Sequence, residues 1–218
     1  IFALIINKLI EKNLINLKNF FYSSLICCLF VSLDVILQYF SGTDVFGYEG
    51  TPVSKSGPFG DELIAGGYLG RFFLFSIIGI QILIFKNENQ RKLLTLFFSF
   101  ICVLSIFYSG NKMPFLLVLL SIIFLIFFLK NLRLPILFGT ILALLIAGQS
   151  LKHNNDFKIY YTAFYVNLQE IPKQLSKKLY IENFGTSEEK QIAEKEIWSN
   201  RTGHRNIYLS AIDVWKDK

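Results

Sequence analysis

Arg71 stands inside an apolar run, Leu63 to Phe85, whose length of about 23 residues is enough to cross a bilayer as a helix. A guanidinium at that depth costs at least about 2–3 kcal/mol unless it finds a partner or water. Such a charge therefore reads first as a site. Two partners are open to it. One is Asp34, which shares a helix face with Gln38 four residues on. By residue count Asp34 lies roughly 9 Å from the end of its own apolar segment, against roughly 12 Å for Arg71. An Asp34–Arg71 ion pair would link neighbouring helices. The other partner is an anionic ligand met directly by Arg71, with Asp34 and Gln38 in support.

Three further groupings have residue types suited to chemistry. The loop Ser56-Gly57-Pro58-Phe59-Gly60-Asp61-Glu62 uses Gly57 and its neighbours to fix a tight, re-aimed backbone. It places Asp61 and Glu62 at the start of the Arg71 helix, where carboxylates suit the helix dipole; Asp61 is also a candidate general base. Gly66, Gly67 and Gly70 read as a smooth face for close helix packing. In Ser109-Gly110-Asn111-Lys112, the Lys112 ammonium either anchors at the interface or binds phosphate. In Asn200-Arg201-Thr202-Gly203-His204-Arg205, two guanidinium groups and a histidine flank a glycine ahead of an amphipathic stretch. That pattern suits a pyrophosphate, or is simply a solvated basic loop. His204 is a second base candidate. No Gly-rich nucleotide loop, zinc motif or nucleophile elbow occurs. Cys27, Cys28 and Cys102 lie in apolar runs without metal-ligand spacing, as small buried residues would. The expectation is no metal and no cofactor.

The elements that must position these groups follow from composition. The chain of 218 residues is 53% hydrophobic, with 23 Phe, and its mean hydropathy is +0.46. A soluble domain would be well below that. Five spans are expected, at about 20–40, 63–85, 93–108, 114–129 and 134–149, the last three near the lower length limit. The fold class is thus an all-α polytopic membrane protein, with residues 1–149 as the transmembrane region and 150–218 as a mostly helical loop domain. Residues 1–6 read as the end of an earlier span, and the chain reads as a fragment lacking both termini. The basic segments 7–18, 86–92 and 130–133 fall on one side. The acidic loop 41–62, the turn 109–113 and the tail fall on the other. The positive-inside rule puts the basic side in the cytoplasm. The tail's charges alternate in sign, so it is no nucleic-acid signal. Two amphipathic helices are expected in it, at 188–198 and 206–215.

The order of these pieces resembles the bacterial O-antigen ligase and O-antigen polymerase family of membrane glycan transferases. The resemblance rests on Asp34-Val-Ile-Leu-Gln38 through Gly47, Ser56-Gly-Pro-Phe-Gly-Asp-Glu through Arg71, Tyr108-Ser-Gly-Asn-Lys-Met113, and Gly203-His-Arg through Asp217. It implies a polytopic helical fold in the bacterial inner membrane, with 41–62 and 150–218 periplasmic. It implies transfer of a glycan from an undecaprenyl-diphosphate carrier to lipid A-core, with membrane lipid and these two substrates as partners. Basic residues hold the carrier diphosphate in that family, which here points to Arg71, Lys112, Arg201 and Arg205. Lys112 stands where the family usually has Arg, so it keeps the charge and loses the bidentate fork. The family's favoured catalytic histidine would lie beyond residue 218, so the 218 residues alone are expected to be inactive. Three alternatives stay open. A polymerase of the same family differs only in its acceptor. A transporter or flippase would use Asp34, Gln38 and Arg71 as a pathway, although no repeat pair is visible. An inactive assembly subunit is the third.

Overall fold

The computed structural model describes residues 17–81 and 87–166. The tail groupings at 188–198 and 200–215, and residues 1–6, lie outside them. Five apolar helices form at the expected places: α1 Leu17–Ser41, α2 Ala65–Gly79, α3 Glu88–Tyr108, α4 Lys112–Phe128 and α5 Arg133–His153. A sixth, α6, covers 155–166. No strand occurs among the described residues; two isolated bridges, Thr43 to Glu49 and Thr51 to Ser54, are the only extended pairings. Residues Lys18–Ser41, Glu88–Tyr108 and Lys130–His153 form three helices long and apolar enough to cross a membrane, whereas α2 and α4 are shorter. At 15 residues, α2 is about 22 Å long against a hydrocarbon core of about 30 Å.

The helix ends have local causes. Gly42, at φ +88°, closes α1 by donating its N–H to the Gln38 carbonyl at 3.1 Å, a left-handed stop that glycine adopts without strain. Asn87 opens α3 by accepting from the Asn89 N–H at 3.0 Å, so the helix starts five residues earlier than the apolar run. Pro114 and Pro135 sit in the first turns of α4 and α5, where no intrahelical N–H is needed. Asn154 ends α5 and opens α6: its Oδ1 accepts from the N–H groups of Asp156 at 3.0 Å and Phe157 at 3.2 Å.

α3 is the central helix, in contact with α1, α2, α4 and α5. A Cβ on Gly139 of α5 would strike the Leu96 carbonyl and come within 3.1 Å of the Phe100 nitrogen. The missing side chain is what lets α3 and α5 approach so closely. Buried hydroxyls knit the inner faces: Ser24 to Ser76 at 3.1 Å, Ser32 to the Cys102 thiol at 3.4 Å, and Ser105 Oγ to the Ser32 carbonyl at 2.8 Å. Cys28 and Cys102 are buried as expected, but Cys27 is exposed. The outer faces carry Ile26, Phe30, Leu33, Phe40, Leu120 and Phe127 in the open, as helices apolar all round do when lipid is the solvent.

The two ends of the bundle differ in chemistry. At one end Arg91 Nη1 donates to the Gln81 carbonyl and Arg133 Nη2 to the Phe127 carbonyl, both at 3.2 Å, and Lys92 pairs with Glu88. Cations there meet helix-terminal carbonyls, where the dipole favours them. At the other end the loop 42–64, the turn 109–111 and the start of α6 meet. A Cβ on Gly110, whose φ is +72°, would lie 2.8 Å from Ser54 Cβ, and Tyr160 donates to the Gly110 carbonyl at 3.0 Å. Among the described residues, the loop 42–64, the turn 109–111 and the start of α6 share one end of the bundle.

Candidate functional site

The second end is organised by Gln38, which is fully buried. Its Oε1 accepts from the Gly57 N–H at 2.9 Å. Its Nε2 donates to the Tyr48 carbonyl at 3.1 Å and lies 3.5 Å from Ser56 Oγ. One amide thus holds both arms of the loop 42–64. Asp34, one turn deeper and 2% exposed, accepts from the Val45 N–H through Oδ1 at 2.8 Å. Asp44 completes a turn of its own, accepting from the Phe46 and Tyr48 N–H groups at 2.9 and 2.7 Å. Gly57, at φ +56°, lies so close to α1 that a Cβ there would sit 2.8 Å from Val35 Cγ2. The loop is a fixed cap on α1.

These contacts correct the expected Asp34–Arg71 pair. Asp34 gives Oδ1 to the loop backbone and leaves Oδ2 buried without a hydrogen bond, and Arg71 is exposed on α2. The inward face of α2 is Ala65, Leu69, Phe73, Ser76 and Ile77; Arg71 lies off that stripe. With the described residues it makes no hydrogen bond or ion pair, and Lys92–Glu88 is the only ion pair among them. The two differ in depth as well as in azimuth: Ser24 meets Ser76 and Phe21 lies against Gly79, which sets Arg71 level with about Leu29 of α1, more than one helical turn from Asp34. Asp61 and Glu62 are exposed and precede the helix, which starts at Ala65 without an acidic first turn, so neither caps it. Of the three glycines, Gly66 and Gly70 pack and Gly67 does not. A Cβ on Gly66 would meet Ser109 Oγ and lie 2.7 Å from Asn111 Cβ; one on Gly70 would lie 3.4 Å from Val118 and 3.7 Å from Pro114; Gly67 faces open space.

That packing relates the two cations. Gly66 is level with Asn111 and Gly70 with Pro114 to Val118, so α2 and α4 run parallel from the capped end. Arg71 and Lys112 then differ in depth by about one helical turn. The open position Gly67 lies one turn above Arg71, on the side toward which helical side chains tilt. A long side chain there can run up toward the capped end across a residue with no side chain of its own. Lys112, half-buried, sits with Nζ 3.4 Å from the centroid of the Tyr160 ring. Arg201, His204 and Arg205 lie outside the described residues. No group of three or more His, Cys, Asp or Glu side chains among the described residues is placed to hold a metal ion.

Two residues of this end were not singled out from the sequence. Tyr160 is one. Lys55 is the other: it is 8% exposed, packed with Gln38 around the Cβ-less Gly50, and it donates to the Thr51 carbonyl. The sequence signal was its solitude, the lone basic residue between 41 and 62. Burial pushes its amine below the ordinary value of 10.5. Between that lowered value and 10.5 the unfolded chain holds the proton and the folded one does not, so Lys55 makes stability rise with pH across that window. Below it the buried charge is a standing cost. Lys55→Met should therefore raise the thermal midpoint at pH 7, with the gain shrinking as pH approaches 10.5. A gain independent of pH would assign the effect to packing instead.

No family model, curated protein or solved structure matches the chain.

Proposed function

We propose that the protein is a membrane glycan transferase of the O-antigen ligase type, acting at the periplasmic face of the bacterial inner membrane. The donor is an undecaprenyl-diphosphate-linked glycan and the acceptor is lipid A-core. The observation that carries this reading is the convergence of three separated segments on one end of the bundle. The stretches 34–47, 56–71 and 108–113, which carry the resemblance, are held together there by Gln38, Gly57, Gly66 and Gly110. They present Arg71 and Lys112 from adjacent parallel helices, a pair of cations suited to the two phosphates of a carrier lipid.

In this reading Arg71 and Lys112 neutralise the diphosphate and stabilise the charge that develops on the leaving phosphate. The bond from the anomeric carbon to the phosphate oxygen breaks as the acceptor oxygen attacks, and the acceptor proton passes to a base. Direct displacement inverts the anomeric carbon. Asp61 and His204 are the base candidates within the chain; Asp61 is exposed in the cap. Arg201 and Arg205 are proposed as further diphosphate ligands. The transport reading is weakened at Gln38, whose amide is engaged by the loop at both ends; Asp34 binds the loop through Oδ1 alone. The test is deletion of the gene in its own strain. Accumulated carrier-linked polymer with uncapped lipopolysaccharide supports the ligase. Single repeat units in place of polymer identify a polymerase. Unchanged glycan pools overturn both.

A further inference from the structure

Tyr160 touches the turn 109–112 in two ways at once. Its hydroxyl donates to the Gly110 carbonyl at 3.0 Å, and its ring lies under the Lys112 ammonium at 3.4 Å. Gly110 holds φ +72° and is wedged against Ser54, so the turn has little freedom to move away. The ring is itself held. α6 is nucleated by Asn154 and pinned by Phe157, fully buried between Tyr39 and Phe107 at centroid distances of 5.6 and 5.9 Å. Tyr161 adds a bond from its hydroxyl to the Phe107 carbonyl at 2.7 Å. A lysine chain has four rotatable carbons and loses considerable freedom on being fixed. An aromatic face under the ammonium recovers part of that loss.

We infer that Tyr160 is a positioning residue, which holds the Lys112 ammonium at the mouth of the α3–α4 turn for a phosphate of the lipid-linked donor. The inference rests on the reading of Lys112 as a diphosphate ligand. It accounts for how a lysine serves where a guanidinium fork would orient itself: the ring supplies from outside the rigidity that the side chain lacks. Tyr160, which follows α5, thus shapes the site through Lys112 without contributing a charge of its own.

The test follows acylation of Lys112 by a water-soluble amine-reactive ester, read by peptide mass spectrometry on the whole protein in bilayer discs, with and without undecaprenyl diphosphate. Wild type and Tyr160→Phe should react slowly and alike, and undecaprenyl diphosphate should slow both further. Tyr160→Leu and Tyr160→Met should react about three- to tenfold faster and lose most of the protection. Equal rates in the aliphatic variants and wild type overturn the proposal. So does a wild-type rate that undecaprenyl diphosphate leaves unchanged, an arm that needs no variant to fold. Failure of the ligase reading looks different: glycan pools are unaltered by gene deletion while Tyr160 still governs Lys112 reactivity.

Discussion

Arg71→Ala is expected to lower glycan transfer by about 10²–10³-fold while changing stability by no more than about 0.5 kcal/mol. The separation of the two effects is the point of the experiment. Arg71 is exposed on α2 and makes no hydrogen bond or ion pair with the described residues, so alanine removes a charge without opening a cavity or orphaning a partner. A residue retained for folding would behave in the opposite way. Arg71→Lys should recover part of the activity, since charge is kept and the planar fork is lost. The measurement is the ladder of capped lipopolysaccharide in the deletion strain, beside the thermal midpoint of the purified variant. Full ladders with alanine at 71 would remove Arg71 from the site.

The second large effect is structural. Gln38→Leu keeps the volume and removes every polar contact of a fully buried amide. The Gly57 N–H loses its partner, while the Tyr48 carbonyl keeps the Asp44 N–H at 3.0 Å. A buried group left unsatisfied costs about 1–3 kcal/mol, and the loss should fall in that range. Gln38→Glu preserves the acceptor for Gly57 and surrenders the donor to Tyr48, and should fall in between. Limited proteolysis reports the mechanism: cleavage within 42–64 should accelerate in both variants. A leucine variant that melts and resists protease like wild type would show that the cap is held by packing alone.

Run lengths in the sequence located all five apolar helices, because a bilayer leaves little choice for stretches so uniformly apolar. The same uniformity hid their rotation. In a helix apolar on every side, periodicity no longer separates the face toward protein from the face toward lipid, and counting residues from the ends of the apolar runs set Arg71 beside Asp34, missing the axial offset that Ser24–Ser76 and Phe21–Gly79 fix. The cap was half visible. Asp44 three residues before Gly47, and Gly57-Pro58 after Ser56, are turn signals, but nothing local announces that their free N–H groups end on Asp34 and Gln38. α6 had a readable start in Asn154 ahead of Asp156, which the change to polar composition after residue 150 obscured. Tyr160 and Lys112 are 48 apart in sequence, and only the packing of Phe157 brings them together.

The cap has a consequence for how the protein is made. Its decisive bonds join residues only 10, 11 and 19 apart, and all of them reach back to α1. Contacts so close in sequence form early, since little chain has to be closed to make them. The loop 42–64 can therefore complete itself on α1 as soon as both have been delivered to their side of the membrane, before α3 is synthesised. The turn at Gly110 then arrives at a surface already built. Ribosome-stalled chains ending just after α2 should already shield 42–64 from protease; chains that gain this protection only after α4 emerges would mean that the surface and the turn assemble together.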